Sequence, residues 1–213
     1  MDNKYTAYLF DFDYTLALTE RGIILCFRHV LDLHGFAQPT DDEIKRTIGY
    51  TVTDGFTMLA GVTDPDVLEQ MRQEYAAKGA EAMTANTELY PDTIPTLKRL
   101  KEAGVKVAIV STKQAYRINE ALDAFGCHDL IDVVIGLGDV SNAKPDPEGI
   151  HKALAALGVD KAHALYCGDS FIDAQAARNA GVDFAAVTTG TTTRETFAKY
   201  PCVKVMERLG EII

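Results

Sequence analysis

A chain of 213 residues that is 47% hydrophobic and 24% charged has enough apolar material to build a core without disulfides or a structural metal. Its net charge of −10, with no basic cluster longer than Lys98-Arg99-Leu100-Lys101, argues against nucleic acid as a partner, because that needs a dense Lys/Arg footprint. No apolar run approaches the roughly 20 residues of a membrane span, and Cys26, Cys127, Cys167 and Cys202 include no C-x-x-C pair, which reads as reduced thiols and not as a disulfide framework or zinc site.

The chain starts Met1-Asp2-Asn3-Lys4-Tyr5, without a basic segment leading into a long apolar one, so no signal peptide and a cytoplasmic location are expected. Tyr5 to Phe10 reads as a buried strand. From Thr15 to Ala85 the patterns are helical, with no convincing strand: Gly22 to Leu33, Asp41 to Ile48, Val52 to Leu59 and Pro65 to Ala82. Asp64-Pro65 is a helix start, with an acid at the N-cap and proline at the first helical position, and Val67, Leu68, Met71 and Tyr75 form its apolar stripe. Met58, Met71 and Met83 are expected to pack inside this segment. Pro91 to Ala103 puts Ile94, Leu97 and Leu100 on one helical face and ends at Gly104. Strands follow at Val105 to Val110, Ile131 to Ile135, Ala162 to Cys167 and Asp183 to Val187, with Gly158 and Gly181 as punctuation. Near-continuous apolar strands alternating with helices predict a parallel sheet covered on both faces. The fold class is therefore α/β: a Rossmann-like parallel core from residues 1–14 and 86–213, with an all-helical insert over 15–85.

Ligands of such sheets bind beyond the carboxyl ends of the strands. Those ends carry Asp11-Phe12-Asp13-Tyr14-Thr15-Leu16, Ser111-Thr112-Lys113 and Gly168-Asp169-Ser170-Phe171-Ile172-Asp173, while Ala143-Lys144-Pro145-Asp146-Pro147 precedes the helix beginning near Glu148. Four carboxylates, a hydroxyl and a lysine on one edge are costly unless a cation sits among them. Phosphoryl transfer uses every member. A hard Mg²⁺ takes oxygen ligands, one carboxylate can become an acyl phosphate, and a second two residues away can exchange protons with the leaving oxygen and with water. A lysine can offset the charge, and a hydroxyl and backbone N–H groups can hold phosphate oxygens.

The order D-x-D-x-T-L, V-S-T-K, K-P-x-P and G-D-S-x-x-D resembles the haloacid dehalogenase superfamily, and within it the phosphoglycolate phosphatase and β-phosphoglucomutase-like branch. Alone, D-x-D is most often a surface-loop pair, K-P-x-P often a turn before a helix, and G-D-S-x-x-D as readily a helix start capped by Asp169 or Ser170; their joint order at strand and helix ends is not common. The resemblance implies a helical cap over 15–85, which closes over the site and reads the leaving group. It implies Asp11 as nucleophile and metal ligand, Asp13 as acid/base and, through its main-chain carbonyl, a metal ligand. Ser111 would hold the phosphate, Lys144 would neutralise it, Asp169 would complete the Mg²⁺ site, and Asp173 would bind the ion directly or through water. Phe12 and Thr112 are counted as substrate-binding, Thr112 by its main-chain N–H, and Glu20, Arg21, Tyr50 and Thr51, with Arg46, are candidates for recognising the leaving group. The implied activity is hydrolysis of small phosphate monoesters through an aspartyl phosphate on Asp11. The implied partner is a small phosphorylated metabolite, without nucleic acid or membrane, for a monomer or weak homodimer.

Tyr14 departs from the family's usual glycine and puts the local turn in question. Dehalogenases and phosphonatases lack the second aspartate, which Asp13 supplies here. A sugar-phosphate mutase shares the core, but Ile48-Gly49-Tyr50-Thr51-Val52 lacks the basic residue typical of those mutases. A phospho-receiver domain would carry its aspartate after the third strand and no insert, and a phosphate-binding module would not need all four motif residues. Lys113 flanks the site and has two readings, a part in the site or a surface lysine at a helix start, of which the second is slightly favoured; His29, His34, His128, His151 and His163, which share no metal spacing, read as structural or exposed.

Overall fold

The computed structural model describes residues 4–213; Met1 to Asn3, part of the segment read for a signal peptide, lie outside the described residues. In chain order the elements are β1 (Ala7–Phe10), β2 (Ala17–Leu18), α1 (Glu20–Leu33), α2 (Asp41–Lys45), α3 (Val52–Ala60), α4 (Pro65–Ala82), β3 (Glu88–Leu89) and α5 (Thr93–Glu102). They continue with β4 (Lys106–Val110), α6 (Ala115–Ala124), β5 (Val133–Ile135), α7 (Glu148–Leu157), β6 (Ala164–Gly168), α8 (Phe171–Ala180), β7 (Asp183–Val187), α9 (Arg194–Phe197) and β8 (Cys202–Met206). Two compact units result: one from residues up to Ala17 with Leu89–Ile213, the other from Leu18–Glu88.

The first unit is a six-stranded parallel sheet in the order β5-β4-β1-β6-β7-β8. Alternating side chains go to opposite faces of a strand, and here both faces are covered. Tyr8 and Phe10 of β1 join Val107, Ile109, Leu165 and Cys167 under Leu97, Leu100, Ile118 and Leu122 of α5 and α6. Ala7 and Leu9 join Ala108, Val110, Ala164 and Tyr166 under Ile150, Ala153, Ala174 and Ala177 of α7 and α8. α7 and α8 each stop at a glycine in the left-handed region, Gly158 at φ 67° and Gly181 at φ 70°, where a side chain would strain the backbone.

The second unit closes on its own aromatic centre. Phe27 of α1 lies 4.9 Å from the ring of Phe56 and 5.0 Å from that of Tyr75, both edge-on, among Ile23, Val30, Leu31, Ile44, Met71 and Met83. Asp64 caps α4 by accepting from the N–H groups of Asp66 and Val67, and Thr40 and Glu43 form a reciprocal capping box at α2.

Three expectations need correction. Met58 is 52% exposed and does not pack in the helical unit, whereas Met71 and Met83 do. The stretch taken as free of strands contains β2, which pairs with β3 where the chain crosses between the units. The sheet also has a sixth core strand, β8, which went unread. As an edge strand it pairs with β7 alone, leaves Val203 half exposed and interrupts its apolar run with Lys204.

Candidate active site

Parallel register brings three of the motif residues together. Phe10 of β1 lies level with Ile109 of β4 and Cys167 of β6, so Asp11, Ser111 and Asp169 leave three neighbouring strands within one residue of the same height. β1 is also where the chain's direction across the sheet reverses: β4 and β5 run out to one side, β6, β7 and β8 to the other. Crevices form at such switch points.

Asp11, Asp169 and Asp173 are all buried, and one carboxylate oxygen of each lies within 4.8 Å of the others. Lys144 sits among them, 4% exposed, with Nζ 3.0 Å from Asp11 Oδ1, 2.6 Å from Asp173 Oδ1 and 3.1 Å from the Tyr166 hydroxyl. Tyr166 also touches Asp173 Oδ1 at 3.0 Å and donates to the Val110 carbonyl at 2.9 Å. Ser170 caps α8, and both its N–H and its hydroxyl reach Asp173 Oδ2, at 3.1 and 2.5 Å. Asp173 is thus the most firmly held of the three carboxylates.

Asp11 faces Lys144 and Ser111. Its Oδ1 is buried and, although near Lys144, receives no well-directed hydrogen bond. Burial pushes the Asp11 carboxyl up to about 6 against the pull of Lys144, with Asp173 and Asp13 adding to the rise. Burial, Asp173 and Asp11 push Asp169 well up. Burial alone would lower Lys144, but Asp11 and Asp173 outweigh it and the ammonium is raised. One lysine does not offset three buried carboxylates, and an all-oxygen cluster with an unsatisfied acceptor is what a hard divalent cation fits. These three residues could hold a metal ion.

The turn after β1 is tight: the carbonyl of Phe12 accepts from the N–H groups of Thr15, Leu16 and Ala17. Tyr14, the departure noted in the sequence, adopts φ 58° and is 3% exposed. A non-glycine residue there costs roughly 1–2 kcal/mol, and the turn keeps it with bonds from the Tyr14 N–H to the Ala17 carbonyl and from the Thr189 hydroxyl to the Tyr14 carbonyl. Phe12 itself is fully buried in the core, so any ligand contact goes through its main chain. Ser111, at the end of β4, accepts at Oγ from the N–H of Lys113 at 3.3 Å, and Thr112 beside it is buried.

Lys113 takes the less favoured of its two sequence readings. Its side chain is 9% exposed and its Nζ lies 2.9 and 3.1 Å from the two oxygens of Asp13. Ser170 takes the N-cap place open to it in the sequence, Thr15 was named only within its motif, and Tyr166, Thr189 and Gly190 went unread. The Thr15 hydroxyl donates to Asp169 Oδ1 at 3.3 Å, and a Cβ at Gly190 would stand 1.8 Å from Asp169 Oδ2. The available signal was position: each lies within a few residues of a motif or at the end of β7.

Glu20, Arg21, Tyr50 and Thr51 belong to the helical unit. There Glu20 pairs with Lys45 at 3.1 Å, and Thr51 caps α3, accepting from the Asp54 N–H. Among the described residues no histidine joins a group that could hold a metal ion; His34 pairs with Glu74 and His128 with Asp123.

The family model of haloacid dehalogenase-like hydrolases matches residues 8–187. Pyrophosphatase PpaX of Bacillus velezensis is 31% identical over 212 residues, spanning 100% of this chain and 96% of its own. A crystal structure from Bacteroides fragilis, described as a haloacid dehalogenase-like hydrolase, is 49% identical with a TM-score of 0.97, covering 99% of this chain and 100% of that one. A predicted phosphoglycolate phosphatase from Haemophilus somnus, 22% identical, shares the fold at a TM-score of 0.89 over 100% of this chain and 98% of its own.

Proposed function

Because this chain belongs to the haloacid dehalogenase-like hydrolases, we propose that it is a magnesium-dependent phosphatase working through an aspartyl phosphate on Asp11. The observation that carries this reading is Asp11 Oδ1: a buried carboxylate oxygen without a directed donor, 3.0 Å from Lys144 and clustered with Asp169 and Asp173. A carboxylate oxygen that no directed donor occupies is open to attack on phosphorus.

In this mechanism Asp11 attacks phosphorus, the bond from phosphorus to the ester oxygen breaks, and Asp13 gives that oxygen a proton. Water then attacks the acyl phosphate while Asp13 takes a proton from it, and Asp11 and inorganic phosphate are released. Ser111 donates to a phosphate oxygen. Lys144 neutralises part of the charge that Asp11 and the phosphate bring together, and Tyr166 and Asp173 hold its ammonium in place. Magnesium held by Asp11, Asp169, Asp173 and the Asp13 carbonyl would supply the remaining positive charge.

The leaving group is assigned to a small phosphorylated metabolite. A relative named a pyrophosphatase over nearly its whole length brings pyrophosphate into the panel, and the sequence resemblance brings phosphoglycolate, sugar phosphates and nucleoside monophosphates. Selection among them we assign to Glu20, Arg21, Arg46, Tyr50 and Thr51 of the helical unit. The test is phosphate release across this panel with and without Mg²⁺, beside Asp11→Asn. Turnover should need the ion and vanish in the variant; metal-independent turnover that survives Asp11→Asn would refute the proposal.

A further inference from the structure

We infer that Lys113 is a positioning residue for Asp13, fixing the carboxylate that exchanges a proton with the leaving oxygen. This rests on the acid/base role proposed for Asp13, and it goes beyond that role by naming what holds the acid in place.

Five observations support it. The ammonium touches both oxygens of Asp13, at 2.9 and 3.1 Å, which fixes the carboxylate's plane as well as its position. Both side chains are about nine-tenths buried, at 9% and 10% exposure, so this is not a solvent-screened surface pair of the kind worth little. The lysine's backbone is pinned: its N–H donates to Ser111 Oγ at 3.3 Å and its carbonyl accepts from the Leu137 N–H at 3.0 Å. A Cβ at Gly136 would come within 2.2 Å of the Ala115 nitrogen and 2.7 Å of the Lys113 carbonyl, so the loop after β5 lies directly against this backbone. Asp139 braces that loop by accepting from the Gly136 N–H at 2.8 Å.

The physical consequence concerns order. A free lysine has about 2 kcal/mol of rotamer entropy, and a general acid misplaced by about 1 Å loses much of its effect. Burying the lysine stem against a rigid loop and placing its charge on both oxygens of Asp13 settles the acid's orientation before an ester enters. The arriving ester oxygen then replaces one of the two ammonium contacts. Asp13 comes from the turn after β1 and Lys113 from the end of β4, so the pair also ties two adjacent strand ends together.

The test separates positioning from phosphate binding by leaving group. Lys113→Met, Asp13→Asn and the double variant are assayed on an alkyl phosphate, whose alkoxide needs a proton, and on p-nitrophenyl phosphate, whose phenolate departs without one. With Lys113→Met, kcat on the alkyl ester should fall about 100-fold and kcat on the aryl ester by less than about tenfold, with KM little changed. Added to Asp13→Asn, it should cost nothing further on the alkyl ester. Lys113→Gln, which keeps a donor, should recover part of the loss and guards against a variant that fails to fold. Equal losses on both esters, a shared rise in KM, an additive double variant or no loss at all would each overturn the inference. Asp11→Asn in the same assay identifies a different failure: if it turns over either ester, the mechanism itself is wrong.

Discussion

The two units spend their interiors differently. Among the described residues, every buried carboxylate, Asp11, Asp13, Asp169 and Asp173, lies in the α/β unit, together with the buried Lys144 and Lys113 side chains. The helical unit buries Thr19, Thr47 and Thr87 as its polar groups, and otherwise aromatic and aliphatic side chains around Phe27. Both interiors are built of buried apolar side chains, yet among the described residues only the α/β unit buries a charged group with an unsatisfied oxygen. Unsatisfied buried charge is destabilising unless a ligand completes it, and the contrast is the ground on which we place function in the α/β unit. Substitutions in the acidic cluster should change chemistry and ion binding; substitutions at the aromatic centre should change stability.

The sharpest separation is Asp11→Asn, which should remove turnover by on the order of 10⁴-fold or more while circular dichroism and the thermal midpoint show an intact fold. Its counterpart is Phe27→Ala. Emptying the aromatic centre should cost about 3–5 kcal/mol, seen as a lower denaturation midpoint, and a fully active site in the protein that remains folded would bear out the division. Gly190→Ala should act next. A methyl group 1.8 Å from Asp169 Oδ2 must displace that carboxylate, and loss of ligand placement should weaken Mg²⁺ binding about 10–100-fold, measured by calorimetry on the metal-bound and metal-free protein.

A smaller effect tests the cost of the buried charge itself. Asp11 ionises near pH 6 in the folded, metal-free protein and near 4 when unfolded. The folded state therefore binds more protons between these values, and stability falls as pH rises through them. The penalty is absent below about pH 4 and complete above about 6. Without metal, Asp11→Asn should leave the thermal midpoint nearly unchanged at pH 4 and raise it by a few degrees at pH 8. With Mg²⁺ present the gain should shrink, because the ion stabilises the carboxylate that the variant lacks.

The same contrast governs what the sequence could reveal. Asp11, Ser111 and Asp169 were legible because an apolar run ends in a polar residue, and parallel register then sets such residues side by side. Helix α4 was legible through Asp64 and Pro65, which act locally. Lys113 was not: a lysine ahead of a helix is usually solvated, and its partner lies 100 residues away in the chain. Tyr166 looked like one more apolar strand residue, since nothing local tells that its hydroxyl meets Lys144 and Asp173. Strand β8 escaped because an edge strand need not be continuously apolar. The turn at Tyr14 looked doubtful without glycine, yet it forms with a positive φ held by Ala17 and Thr189.

The central claim concerns a covalent bond, and it can be observed as one. Protein quenched in acid during turnover of a good substrate with Mg²⁺, then digested and analysed by mass spectrometry, should carry phosphate on Asp11, and none should appear in Asp11→Asn. Steady turnover with Asp11 unmodified at every quench time, or phosphate found on Ser111 in its place, would contradict the account.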